Sequence, residues 1–144
     1  MSDKDVVHAH VQRDFRQALE CEPEGTLLVL NERGPYVIPV AHRDTPFPEV
    51  VVRDEAALIG GHLPLHITVF DGGEISVENV ASVRADTDGR VNVADTPKVT
   101  ILSASGVAVR NCETVIVKKG ISVVAYDCGQ VIIEEDEFDW RQVP

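Results

Sequence analysis

The sequence predicts a mainly β protein: a parallel β-solenoid of 16-residue coils, two octads per coil, with a small N-terminal α+β element. Three observations carry this. From His66 to Glu137 the chain divides without insertion into nine octads, HITVFDGG, EISVENVA, SVRADTDG, RVNVADTP, KVTILSAS, GVAVRNCE, TVIVKKGI, SVVAYDCG and QVIIEEDE. Positions 2 and 4 of every octad are apolar, and sixteen of these eighteen residues are Val or Ile. Spacing two puts both on one face of a strand, and β-branched side chains suit a pleated surface. Finally, alternate octads differ. Position 6 is Asn79, Asp95, Asn111 and Asp127 in one set, but Asp71, Thr87, Ser103, Lys119 and Glu135 in the other.

That last difference decides between two architectures. Short strands at regular spacing also suit an antiparallel meander or barrel, in which each strand simply follows its neighbour. In a solenoid with two strands per turn, residue i lies under residue i+16. Position 7 splits in the same way, into Val80, Thr96, Cys112 and Cys128 against Gly72, Asp88, Ala104, Gly120 and Asp136. The period is therefore sixteen, with Asx residues stacked at one corner, where they tolerate left-handed backbone angles. It also sets Cys112 directly under Cys128 as neighbouring thiols.

The elements follow in order. Ser2 to Leu19 reads as a helix: Ser2 and Asp5 resemble a capping box, Val7, Val11, Phe15, Ala18 and Leu19 share a face, and Pro23 and Gly25 end it. Thr26 to Leu30 and Tyr36 to Val40 read as a β-hairpin around Asn31 to Pro35. Ala41 to Pro48 is a loop, Val50 to Val52 a further short strand, and Gly60 and Gly61 a turn into the repeat. Residues 1–65 thus form a helix-plus-hairpin capping element, 66–137 the solenoid and 138–144 a capping tail. The first coil would otherwise expose unpaired strand edges. At the far end Phe138 and Trp140 are the expected plug, and Glu134 to Glu137 discourage end-to-end growth.

The repeat, SVVAYDCG beside GVAVRNCE above all, resembles the octapeptide repeats, roughly T-V-x-A-Y-D-N-A, of some bacteriophage and bacterial proteins. The resemblance covers about half the chain and departs from the pattern in that one octad alone holds Ala125, Tyr126 and Asp127 together, with Cys128 where Asn is usual. It implies a β-solenoid used as a structural or binding module, for instance a phage structural or decoration protein.

Composition narrows the function. The net charge of −11 disfavours nucleic acid or anionic membrane as a partner, since binding either rests on Lys and Arg. The charge is even: residues 1–65 hold 11 acids and 6 bases, residues 66–144 hold 13 and 7. The longest charge-free run, Ala56 to Phe70, falls short of the roughly 18 residues of a membrane span, and the start, MSDKD, is unlike a signal sequence. Three cysteines without CxxC spacing suggest free thiols. The expected location is the cytoplasm or a virion.

No motif carries catalysis, a cofactor or a metal. His62 and His66 have helical metal-ligand spacing, but Pro64 between them forbids a regular helix. His42 and Asp44 with Cys21 as nucleophile would have to meet in space. Outward acids such as Glu74, Glu78, Asp86 and Glu134 alternate with Arg84, Arg90, Lys98, Arg110 and Lys118, unlike the aligned carboxylates of a carbohydrate-active enzyme. What stands out is an apolar drift in outward positions: Ile116 and Ile132 on one face, Val124 and Tyr126 on the other. They are the expected interface of a non-enzymatic assembly or interaction module. The partner is a protein, most simply a second copy in a closed dimer or trimer that associates laterally. The alternative is an acidic inhibitor, an immunity protein or DNA mimic, whose negative surface meets a basic partner.

Overall fold

The computed structural model describes residues 6–22, 25–31, 34–40, 46–118 and 121–134. Fourteen strands and one helix occur among them: β1 (Val6–Ala9), α1 (Gln12–Cys21), β2 (Leu27–Leu30), β3 (Gly34–Val37), β4 (Glu49–Val52), β5 (Ala56–Gly61), β6 (His66–Phe70) and β7 (Glu74–Glu78) come first. They are followed by β8 (Ser82–Asp86), β9 (Arg90–Ala94), β10 (Lys98–Ser103), β11 (Gly106–Arg110), β12 (Thr114–Lys118), β13 (Val123–Tyr126) and β14 (Gln130–Glu134). The even-numbered strands, with β1 at one edge, form an eight-stranded sheet in the order β1-β2-β4-β6-β8-β10-β12-β14. The odd-numbered strands from β3 to β13 form a six-stranded sheet. Every pairing is parallel. The chain therefore alternates between two facing sheets, as a solenoid must.

Register shows the period. Ile67 pairs with Val83, Val83 with Val99, Val99 with Val115 and Val115 with Val131, each sixteen residues on. Positions 2 and 4 point inward, and from Ile67 to Val117 all of them are at most 5% exposed. Removing so continuous an aliphatic column from water is the main force holding the coils together.

The corners leading from the six-stranded to the eight-stranded sheet are alike. Asn79, Asp95, Asn111 and Asp127 all have φ between 52° and 59°, the left-handed region that Asx side chains tolerate best after glycine. His62, φ 68°, opens the column one coil earlier. Backbone bonds climb it: the His62 N–H donates to the Glu78 carbonyl (3.0 Å), Asn79 to Ala94, Asp95 to Arg110 and Asn111 to Tyr126 (each 2.9 Å). The Asn111 amide also donates to Asp95 Oδ1 at 2.9 Å. Next in each corner comes an inward residue, Val80, Thr96, Cys112 or Cys128. The Thr96 hydroxyl, the Cys112 thiol and the Cys128 thiol each donate to the carbonyl two residues before them. On the opposite side, the corner between β8 and β9 is tight. A Cβ on Gly89 would lie 2.2 Å from the Gly73 carbonyl oxygen, so only glycine fits there.

The N-terminal part departs from expectation at the hairpin, at Gly60 and Gly61, and in the helix. The hairpin is absent. β2 and β3 lie in different sheets, and each pairs in parallel with the next coil, Leu28 with Val50 and Tyr36 with Leu58. The solenoid thus starts well before His66, with spacings of 22 and then 17 (Val50 to Ile67) before the regular sixteen. The segment between β3 and β4 supplies the extra length, and Asn31 makes a coil corner rather than a hairpin turn. Gly60 and Gly61 end β5 instead of forming a separate turn.

The helix is also shorter than the apolar spacing suggests, because Val6–Ala9 is a strand paired with β2; Ser2 and Asp5 lie outside the described residues. A stretch that is half-buried at Val7 and begins with two valines satisfies a sheet edge as readily as a helix. The helix proper buries Phe15, Ala18 and Leu19 and stands where a strand preceding β3 would be. Its first residue completes the substitution: the Gln12 side-chain amide donates to the Val37 carbonyl and accepts the Val37 N–H, both at 2.8 Å. One side chain thereby reproduces a rung of the missing ladder and covers the edge of β3.

Candidate interaction surface

Outward positions form columns across each sheet, because a parallel register of sixteen stacks identical octad positions. On the eight-stranded sheet Thr68, Arg84, Thr100, Ile116 and Ile132 stand side by side. On the six-stranded sheet Ile59, Ser76, Asn92, Ala108 and Val124 do so, with Glu78, Ala94, Arg110 and Tyr126 beside them. The four residues singled out in the sequence therefore fall into two pairs on opposite faces. Ile116 is half-buried next to Ile132, which is 37% exposed, whereas Val124 and Tyr126 are 51% and 60% exposed on the other face.

The two faces differ in shape. The six-stranded face carries a shallow groove of about 640 Å³ running from Ile59 past Ser76, Asn92 and Ala108 to Tyr126. Small side chains, Ser76, Asn92, Ala94 and Ala108, make its floor; Glu78 and Arg110 line it as well, and Ile59, at 40% exposure, and Tyr126 stand at its ends. The other face has a depression of about 440 Å³ among Thr68, Arg84, Asp86, Asp88 and Ser103. It is a polar surface, with the Ser103 hydroxyl donating to Asp86 Oδ1 at 2.7 Å.

Sequence reasoning missed the last coil's interior. Val131 and Ile133 occupy inward positions, yet are 42% and 56% exposed, and Ala125 is exposed too. The octad pattern marks them as core like their predecessors. They are open because β13 and β14 are the outermost strands of their sheets, with nothing among the described residues stacked on them. Phe138, Trp140 and Glu135 to Glu137, expected to cap or guard this end, lie outside the described residues.

The polar candidates are placed apart. His62 stands at a corner, its Nδ1 3.3 Å from the Asn79 amide and its Nε2 3.6 Å from Glu78. His66 begins β6, its Nδ1 2.7 Å from the Ser82 hydroxyl. The two histidines thus have separate partners. Cys21 is exposed at the end of α1; His42 and Asp44 lie outside the described residues. Among the described residues no group of three or more His, Cys, Asp or Glu side chains is gathered to hold a metal ion, and no helix is long and apolar enough to cross a membrane.

No protein-family model, curated protein or solved structure matches the chain. Its function must be argued from this geometry.

Proposed function

We propose that the chain is a non-enzymatic structural or protein-interaction module that associates laterally with a second copy of itself through the outer face of the six-stranded sheet. The observation that carries the reading is the continuity of Val124 and Tyr126 with the groove on that face. An exposed aromatic at one end of a trough floored by Ser76, Asn92 and Ala108 is self-complementary under a two-fold axis: the Tyr126 ring of each copy can lie in the trough of the other. Isologous contacts of this kind close at two subunits, and Tyr is enriched at interface cores because its ring buries apolar area while its hydroxyl keeps a polar partner. The resemblance of the octads to phage and bacterial repeat modules supports the same class of function.

Sedimentation of the full chain and two single variants tests this. Wild type and Ile132→Asp, which alters the opposite face, should both sediment as dimers with little dependence on salt, and Tyr126→Asp as a monomer. A wild type that stays monomeric at high concentration, or a dimer lost in Ile132→Asp and kept in Tyr126→Asp, would overturn the proposal. Loss of self-association on adding salt would mean that charge pairs rather than the apolar face hold the copies together, and would likewise overturn the proposal.

A further inference from the structure

The corner column Val80, Thr96, Cys112, Cys128 ends in two thiols on successive coils. Pairing on either side of them is in register, Arg110 with Tyr126 and Thr114 with Gln130, and the Gly129 N–H donates to the Cys112 carbonyl at 2.9 Å. The two cysteines therefore occupy equivalent places one coil apart. Adjacent strands are separated by about 4.8 Å, inside the Cα window of roughly 4.4 to 6.8 Å that a disulfide spans. Both side chains enter the same corner and make the same hydrogen bond, to the carbonyl two residues before. They differ in access. Cys112 is buried at 1% exposure, while Cys128, in the outermost corner, is partly open.

We propose that Cys112 and Cys128 are a reversible oxidation site that staples the last coil to the one beneath it, with a small-molecule disulfide such as glutathione disulfide as the oxidant. The exposed thiol reacts first. Cys128, as thiolate, attacks one sulfur of the oxidant, breaking its S–S bond, releasing one small thiol and leaving a mixed disulfide on Cys128. Cys112 then gives up its proton to solvent and attacks the Cys128 sulfur. The Cys112–Cys128 bond forms as the second small thiol leaves and takes up a proton. Two protein thiols are oxidised and one oxidant molecule is reduced to two thiols. Burial raises the Cys112 pKa and so limits its thiolate fraction in the second step, which its intramolecular character favours. The bond closes a loop one coil long around the part of the rod that is covered on one side only. This inference is independent of the dimer proposal.

The test uses the full chain and its Cys21→Ser variant, which removes the exposed third thiol. Each is equilibrated with glutathione disulfide and read by intact mass, by mapping of cross-linked peptides and by thermal melting. For the Cys21→Ser chain the expected result is a single covalent chain lighter by two hydrogens, and for both chains a peptide pair joining Cys112 to Cys128, a melting midpoint raised by about 5 °C or more, and full reversal by a dithiol. Cys128→Ser should give no cross-link. A stable glutathione adduct at Cys128 without the cross-link, a disulfide between two chains, thiols that stay free throughout, or a cross-linked chain that melts below the reduced one would each overturn the proposal.

Discussion

A single inward position read along the rod gives the sharpest test of the architecture. Val99, Val115 and Val131 are paired neighbours in one column, the first two 0% exposed and the last 42%. In Val99→Asp the core loses roughly 1.5–3 kcal/mol of apolar burial and receives a carboxyl group with no partner. An ionised carboxylate there is so costly that the side chain folds protonated. Holding the proton at pH 7, about three units above the ordinary Asp pKa of ~3.9, costs about 4 kcal/mol at ~1.36 kcal/mol per unit. The total of about 6 kcal/mol is a large share of the ~5–15 kcal/mol typical of a domain. For a chain of this size it corresponds to a midpoint lowered by roughly 15–20 °C.

The loss has a pH signature. The folded pKa of the new group lies above its unfolded value, so the folded state binds the extra proton between them. Stability relative to wild type should therefore recover as pH falls from the folded pKa toward ~4, leaving the apolar deficit alone. Val131→Asp, partly in water, should cost about 1 kcal/mol, and Arg84→Ala on the exterior within ~0.5 kcal/mol. Thermal unfolding followed by circular dichroism across pH distinguishes them. Equal midpoints for Val99→Asp and Arg84→Ala would mean the inward and outward alternation is misassigned. A Val131→Asp as damaging as Val99→Asp would mean the last coil is covered.

Two further outcomes follow from local geometry. Gly89→Ala drives a Cβ against the Gly73 carbonyl oxygen and should destabilise by about 2 kcal/mol or more, whereas Gly106→Ala, with nothing within 4 Å of the added carbon, should be neutral or stabilising by up to ~1 kcal/mol; paired denaturant titrations read the contrast. Gln12→Ala removes both rungs that cover Val37 and should cost about 1–2 kcal/mol, seen by hydrogen exchange as faster exchange of the Val37 amide with the amides of β9 to β11 unchanged, since a solenoid couples mainly nearest coils.

From His66 onward the coil was legible in the residues alone, because each turn there solves one geometric problem with nearly the same parts: apolar pairs pointing in, β-branched at sixteen of eighteen positions, an Asx residue at the left-handed corner, an inward residue after it. Repetition at sixteen is the sequence image of stacking, and Asn79, Asp95, Asn111 and Asp127 recorded it. The outward residues Ile116, Val124, Tyr126 and Ile132 could be assigned to faces for the same reason. What the tertiary structure alone decided lies at the two ends. Spacings of 22 and 17 hide the first coils from any fixed-period reading, and short apolar runs such as Leu27–Leu30 and Gly34–Val37 fit a hairpin as well as a coil until their partners are known. The bond between Gln12 and Val37 joins residues 25 apart through a side chain, and no local pattern encodes it. At the other end Val131 and Ile133 carry the same pattern as the buried valines before them, yet stand exposed. An octad specifies which way its side chains point, but burial depends on whether another coil lies beyond it.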